Sequence, residues 1–384
     1  MNKNVIYFIL LFLFFTRIFG LVGFNIKSSI LTFVLGAFVL LEIKAKTEYS
    51  ALIKLFIVCI FCSCISSYVY RGQHSIYTTF TQSFVYLGLA FYFVCSRLKI
   101  KINELEKSLV IIGLISVVAY LVQYAVYPTV IFADALNEYT TEIRIRMCGS
   151  LIYSFLFFYG INKYVTKHSA KYLLYAGLAF ICIMIMGFRS LTLSLLILGF
   201  FEYLYVSGTS IKRIKQLLPI VILIFVLSQL DIVNDKIAEM LARQDRGDSF
   251  DNTDYVRYAE FDYYWNRYFT NGIERFFGSG LATMGTEFYN FTMRNYEYNM
   301  YWNDWGIVGL SWIFGIPAAV LLYYCYLKAI LAKIPKEYVY LKAIFAFLIL
   351  TSVTSAEAFR PGNLLLQGTF LYLIMSIKAT SKQS

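Results

Sequence analysis

Histidine is nearly missing from this chain, and charge is thin. Its 384 residues include two histidines, His74 and His168, and only 15% are charged. No group of His, Cys, Asp and Glu shows metal-ligand spacing, and Cys62 and Cys64 have no histidine close by. The seven cysteines, at 59, 62, 64, 95, 148, 182 and 325, all fall inside or beside apolar runs, where they read as small apolar side chains. A long polar segment is also missing from most of the chain, which excludes a separate inner catalytic domain. Finally, the apolar run from Val5 to Phe24 lacks a small-residue cleavage site and is too long for a signal peptide, so it reads as a first membrane span.

Apolar residues are what the chain does have. They make up 59% of it, and the mean hydropathy is +0.63. Runs near the length needed to cross a ~30 Å hydrocarbon layer recur throughout. They predict an all-α polytopic membrane protein, residues 1–384 forming one integral membrane domain of about twelve transmembrane helices. The spans fall at about 5–24, 26–42, 51–70, 75–95, 108–127, 147–162, 171–187, 190–206, 216–231, 305–327, 340–356 and 361–378. Charge within them is sparse, Arg17 and Glu202 being the main cases.

Cations divide the loops into two sets. One set carries Lys44, Lys46, Arg97, Lys99, Lys101, Lys107, Lys163, Lys167, Lys171, Lys212, Arg213, Lys215, Lys328, Lys333, Lys336 and Lys342. The positive-inside rule puts these loops and both termini in the cytoplasm. The net charge of +11 is then a topology signal and calls for no nucleic acid. The opposite set is almost purely arginine: Arg71, Arg144, Arg146, Arg189, Arg243, Arg246, Arg257, Arg267, Arg275, Arg294 and Arg360, joined only by Lys27 and Lys236. A guanidinium grips phosphate oxygens through a planar fork of donors that lysine lacks. The outer face is therefore expected to handle a phosphorylated ligand. Arg189 is the sharpest case, because it interrupts "MIMGFRSLTL" (184–193 and on) between two apolar runs. Mid-bilayer it would cost roughly 2.5–3.5 kcal/mol. A tight turn at Gly187 brings it instead to the membrane's outer edge, where a lipid-borne phosphate sits. Snorkelling to the interface is the structural alternative.

One outer segment is long, at about residues 231–304. It is too aromatic for disorder. Its clearest predicted helix is Asp254 to Phe269, with Asp251, Asn252 and Asp254 suited to the start. At 100° per residue, Tyr258, Phe261, Tyr264, Trp265 and Tyr268 share a face with Arg257, while Glu260 and Arg267 fall on the other side. Arg257 among rings needs an anion or a cation–π contact. The next stretch, "RFFGSGLATMG" (275–285), lacks the strand–helix unit of a dinucleotide site and reads as a loop turn, with a phosphate-gripping turn as the alternative. After it, "YEYNMYWNDWGIVGL" (296–310) brings Trp302, Asp304 and Trp305 to the membrane surface. Tyr264, Trp265, Tyr268 and Trp302 offer flat apolar faces with polar tips, suited to sugars.

These residues resemble the O-antigen polymerase and O-antigen ligase family of bacterial envelopes. The likeness spans the whole architecture and rests locally on Gly187-Phe-Arg189-Ser190, on Arg257 followed by Trp265, on Phe277-Gly-Ser-Gly280 and on Trp305-Gly-Ile-Val-Gly309. The resemblance implies a multi-pass protein of the bacterial inner membrane with its active site facing the periplasm. It implies transfer of a glycan from undecaprenyl diphosphate, with Arg189 and Arg257 engaging the diphosphate and Arg360 of "EAFRPGN" a third cation. The acceptor would be a second lipid-linked repeat unit, and membrane lipids and a chain-length regulator protein would be partners. The leaving group is already activated, so no cofactor, ATP or metal is required. Asp304 and Glu297 are the expected proton acceptors, with His74 a more distant choice. Ligases carry a histidine late in the loop and this chain has none there. That departure favours polymerase over ligase to lipid A core. A lipid-linked oligosaccharide flippase is the other alternative, but it would concentrate charge in a cavity among the helices.

Overall fold

The structure, a computed structural model, describes residues 3–16, 27–132, 135–136, 145–147, 149–208, 256–353, 355–360 and 362–381, with positions 219, 229, 233–235, 237–238 and 241–242. Pro219 apart, the predicted ninth span lies almost wholly outside the described residues. So do Arg17, Arg144, Arg243, Arg246, Lys236, Asp251, Asn252 and Asp254.

The chain is predominantly helical. In order, the helices are α1 (Lys3–Phe15), α2 (Ser28–Leu41), α3 (Ser50–Arg71), α4 (Ile76–Leu98, tightened to a 3₁₀ course over Ser83–Ala90), α5 (Ile102–Ala125), α6 (Leu151–Lys167), α7 (Ala170–Ile185) and α8 (Arg189–Ser207). Then follow α9 (Val256–Asp262), α10 (Gly272–Phe277), α11 (Glu287–Glu297), α12 (Gly306–Phe314), α13 (Ile316–Ile330), α14 (Tyr340–Thr351) and α15 (Asn363–Ser381). Among the described residues the only sheet is the pair Ala135–Leu136 and Ile145–Arg146. Five helices, α3, α4, α5, α8 and α15, are long and apolar enough to cross a membrane. Five more, α1, α2, α7, α13 and α14, are shorter and apolar.

Burial shows why these sequences suit a bilayer. On α3, Ser63, Ser66 and Ser67 face inward while Leu55, Val58, Phe61, Ile65 and Val69 are exposed. On α8 the exposed face carries Leu193, Ile197, Phe200 and Leu204. Small residues inside and large apolar ones outside is the pattern of helices that meet lipid. Two helices form the centre. Every residue of α6 from Leu151 to Lys163 is buried, as is every residue of α15 from Asn363 to Ile374. Phe155 and Phe370 stack between them at 5.5 Å.

The helix ends sort into two poles. At one, Asn4 Nδ2 donates to the Leu98 carbonyl (3.0 Å), Glu48 pairs with Lys378, and Lys163 Nζ lies 3.0 Å from Glu106 Oε1. Tyr340 OH donates to the same Glu106 oxygen at 2.7 Å. The fully enclosed Asn162 and Lys163 also donate to the Lys336 and Glu337 carbonyls. At the other pole, the end of α3 meets α10 through Arg71 and Glu274, and Ser150 and Leu151 at the start of α6 meet Glu357 and Asn363. Among the described residues, the first pole gathers the lysine-bearing loops and the second the arginine-bearing ones.

Two predicted spans differ from expectation. The tenth is broken into α12 and α13 at Gly315, whose φ of +88° no side-chain-bearing residue adopts readily, with a proline in the first turn of α13. The eleventh stops at Thr351, before a 3₁₀ turn over Ala356–Phe359. Across that gap Ile307 N donates to the Ser352 carbonyl (2.9 Å), and a Cβ at Gly306 would overlap the same oxygen.

Candidate active site at the arginine-bearing pole

The segment that carries α9 to α11 is docked by a buried ion pair. Glu274 is fully enclosed in α10, which Asn271 caps by accepting from the Ile273 and Glu274 amides at 2.9 Å. One Glu274 oxygen pairs with Arg71, and the other accepts from the Thr270 amide and hydroxyl, both at 2.8 Å. Arg71 also donates to the Tyr268 carbonyl, and its guanidinium lies over the Tyr268, Phe288 and Phe291 rings. Arg71 is thus committed to holding the fold together. Nearby, the Phe277–Gly280 stretch closes the break between α12 and α13. Gly278 N donates to the Glu274 carbonyl (2.7 Å), Ser279 N to Trp312 O (3.0 Å) and Gly280 N to Ile313 O (2.8 Å). With these amides engaged, the stretch is a loop turn, the reading the sequence favoured over a phosphate-gripping one.

The predicted outer helix is α9, which Tyr263–Arg267 continue as a π turn. The extra residue in that turn, closed by Tyr268 N donating to Tyr263 O (2.9 Å), returns Tyr268 to the buried side. Tyr264 stacks on Trp312 (4.7 Å, 9°) and donates to the Met300 carbonyl at 3.0 Å. Tyr268 donates to Ser279 Oγ at 3.0 Å. Trp302 stacks on Phe359 (6.3 Å, 16°) and its indole donates to Tyr296 OH at 3.2 Å. Tyr264, Tyr268 and Trp302 are therefore buried in packing, and their faces serve the protein's own core where sequence assigned them to sugar. Trp265 is the exposed member, stacked on Phe261 (5.6 Å) with the Arg275 guanidinium 4.1 Å from its ring centroid. Arg71 and Arg275 both make cation–π contacts within this aromatic segment.

Glu260 corrects the sequence reading most. Placed there on the far side of the helix, it is in fact fully buried. The face α9 buries is centred on Glu260 and Tyr264, while Tyr258 and Trp265, at the other edge of the aromatic stripe, stay exposed. Oε1 of Glu260 accepts from the Tyr301 amide at 3.1 Å, and Oε2 is buried with no hydrogen-bond partner among the described residues. Burial, and then the like charge of Asp304, push this carboxyl up to about 7, against the opposing pull of the Tyr301 amide, the Arg257 guanidinium and the Trp305 indole. Arg257, Glu260, Asp304 and Trp305 thus share one electrostatic neighbourhood. Phe261 meets Trp305 there at 4.9 Å.

The other cations approach from the neighbouring turns. Arg360 Nε lies 3.2 Å from Glu357 Oε2, and its guanidinium sits 4.6 Å from the centroid of Phe188, the residue before Arg189. Glu357 is fixed in turn by Ser150 Oγ (2.7 Å) and Asn363 Nδ2 (3.1 Å). Arg189 begins α8, half-buried, after Gly187 with φ +72°. The Trp302–Phe359 stack ties the Asp304 turn to the Arg360 turn. Of the residues sequence singled out, Arg189, Arg257, Arg360, Trp302 and Asp304 therefore fall on segments packed together at one pole. Glu297 does not join them, being exposed in the last turn of α11. His74 is exposed too, its Nε2 3.3 Å from the Gly285 carbonyl. Among the described residues, no three His, Cys, Asp or Glu side chains are grouped to hold a metal ion.

Sequence reasoning missed Glu260 and the Ser150–Glu357–Asn363 network. Glu260 did carry a signal, since it lies three residues after Arg257 and four before Tyr264, spacings that put helix side chains side by side. The network has none, because its members come from distant segments. Compared with protein-family models, with curated proteins and with solved structures, the chain finds no match.

Proposed function

We propose that this chain is a polysaccharide polymerase of the O-antigen type. It transfers a glycan chain from undecaprenyl diphosphate to a lipid-linked repeat unit at the outer face of the bacterial inner membrane. The observation that carries this reading is the convergence at one pole of three arginine-bearing segments, around Arg189, Arg257 and Arg360, with the Trp302–Trp305 turn. Departure of a diphosphate builds negative charge on its oxygens, and preorganised cations in a water-poor site lower that barrier. Arg189 and Arg257 take the diphosphate. Arg360, already paired with Glu357, lends its charge from behind. Trp265, held by Phe261 and Arg275, leaves only an exposed edge for the sugar.

The test is a strain lacking its own polymerase. Expressed there, the wild type yields a ladder of chain lengths. Arg189→Ala and Arg257→Ala each leave single-repeat lipopolysaccharide, a loss of about 10²-fold or more in transfer rate. Lysine at either position does not restore the ladder, because it replaces a fork with a point charge. Full ladders from both alanine variants at equal expression would reject the assignment. Attachment of glycan to lipid A core without elongation would identify a ligase.

A further inference from the structure

We propose that Glu260 is the group that accepts the proton of the acceptor sugar's hydroxyl. This inference rests on the polymerase reading and names a residue that reading lacks. In the step, the hydroxyl oxygen of the acceptor repeat unit forms a bond to the anomeric carbon of the donor. The bond from that carbon to the diphosphate oxygen breaks, and undecaprenyl diphosphate leaves with the electron pair. The hydroxyl proton passes to Glu260 Oε2 and from there to water, so no oxidant, metal or nucleotide is needed.

Apart from Asp304, the other described carboxylates named at this pole are either engaged or exposed. Glu274 has both oxygens engaged, by Arg71 and by Thr270. Glu357 is held by Ser150, Asn363 and Arg360. Asp262 pairs at the surface with Arg267 at 2.7 Å, and Glu287 and Glu297 are exposed. Glu260 alone among those named combines full burial, one oxygen anchored by the Tyr301 amide, and a second oxygen with no hydrogen-bond partner among the described residues. A buried group held at one oxygen by the Tyr301 amide, with the Trp305 indole also acting on its carboxylate, is preorganised for proton transfer in one orientation. It also sits one turn from Arg257, so a single helix presents the cation for the leaving group and the base for the nucleophile.

Its surroundings suit the role. Facing Glu260 are Asp304 and Trp305 from the Trp302–Trp305 turn, the Tyr301 amide before it, and Arg257 and Tyr264 from its own helix. Asp304 thereby becomes a positioning residue that keeps the proton affinity of Glu260 near neutrality, where a base is partly ionised and still able to hold a proton.

The experiment uses the purified full-length protein in nanodiscs, with the lipid-linked repeat unit extracted from its host. Elongation rate is followed from about pH 5.5 to 8.5. The wild-type rate should fall on the acid side of about pH 7. Glu260→Gln should lose about 100-fold or more in rate with unchanged binding of the repeat unit. Asp304→Asn should move the acid limb to lower pH, a displacement that a merely structural role would not produce. Full rate and an unaltered pH profile for a folded Glu260→Gln would overturn the proposal. Should that variant misfold, an acid limb that stays put in Asp304→Asn would overturn it equally. Wild-type protein that binds the repeat unit without elongating it would refute the polymerase reading itself, and the inference with it.

Discussion

Glu260 carries a cost that is measurable without any substrate. Its carboxyl is raised from 4.5 to about 7 in the folded state. Between those values the folded chain holds a proton that the unfolded chain releases. The associated stability is therefore fully present below about pH 4.5 and lost as pH rises through about 7, a swing on the order of 3 kcal/mol. Thermal unfolding in detergent should show wild type losing midpoint temperature between about pH 5 and pH 8, with Glu260→Gln flatter over the same range. Identical slopes would mean that the carboxyl is not held in this way. Arg257, Arg360 and Asp304 were legible as candidates because their charge stands out in an apolar chain. Glu260 was hidden because an angular average over the rings pointed the helix about half a turn of the stripe away from the face it buries.

At the scale of the element, the helical segments were legible wherever an apolar run filled them, and unreadable where distant backbone decides. Hydropathy runs straight through Gly315, although Gly-Ile-Pro at 315–317 was a stop signal in plain view. What makes the break tolerable is the Phe277–Gly280 stretch, whose amides meet the Trp312 and Ile313 carbonyls. No local pattern reports that pairing. Nor does any report the π turn at Tyr263–Arg267, which depends on packing around Tyr264 and Tyr268. The Arg71–Glu274 pair supplies the corresponding prediction. Arg71→Ala strips the partner from a fully buried carboxylate, a loss of about 3–5 kcal/mol. Limited proteolysis should then cut between Gly272 and Gly285 in the variant and spare the wild type. Equal resistance would show that the clamp is dispensable.

Across the whole molecule, the split between lysine and arginine was readable at once, and the structure sorts the helix ends into two corresponding poles. Which pole faces outward is a matter for labelling. Cysteines introduced as Arg189→Cys and Arg257→Cys should react with a membrane-impermeant thiol reagent in intact spheroplasts, and Lys336→Cys only after permeabilisation. The reverse pattern would invert the topology and remove the phosphate-binding reading of the arginines.

The amides that close the helix break have one more implication. Ser279 and Gly280 donate their amides to the Trp312 and Ile313 carbonyls, so lifting this segment would break two backbone hydrogen bonds at the break between α12 and α13. The Phe277–Gly280 stretch is masonry, not a hinged door.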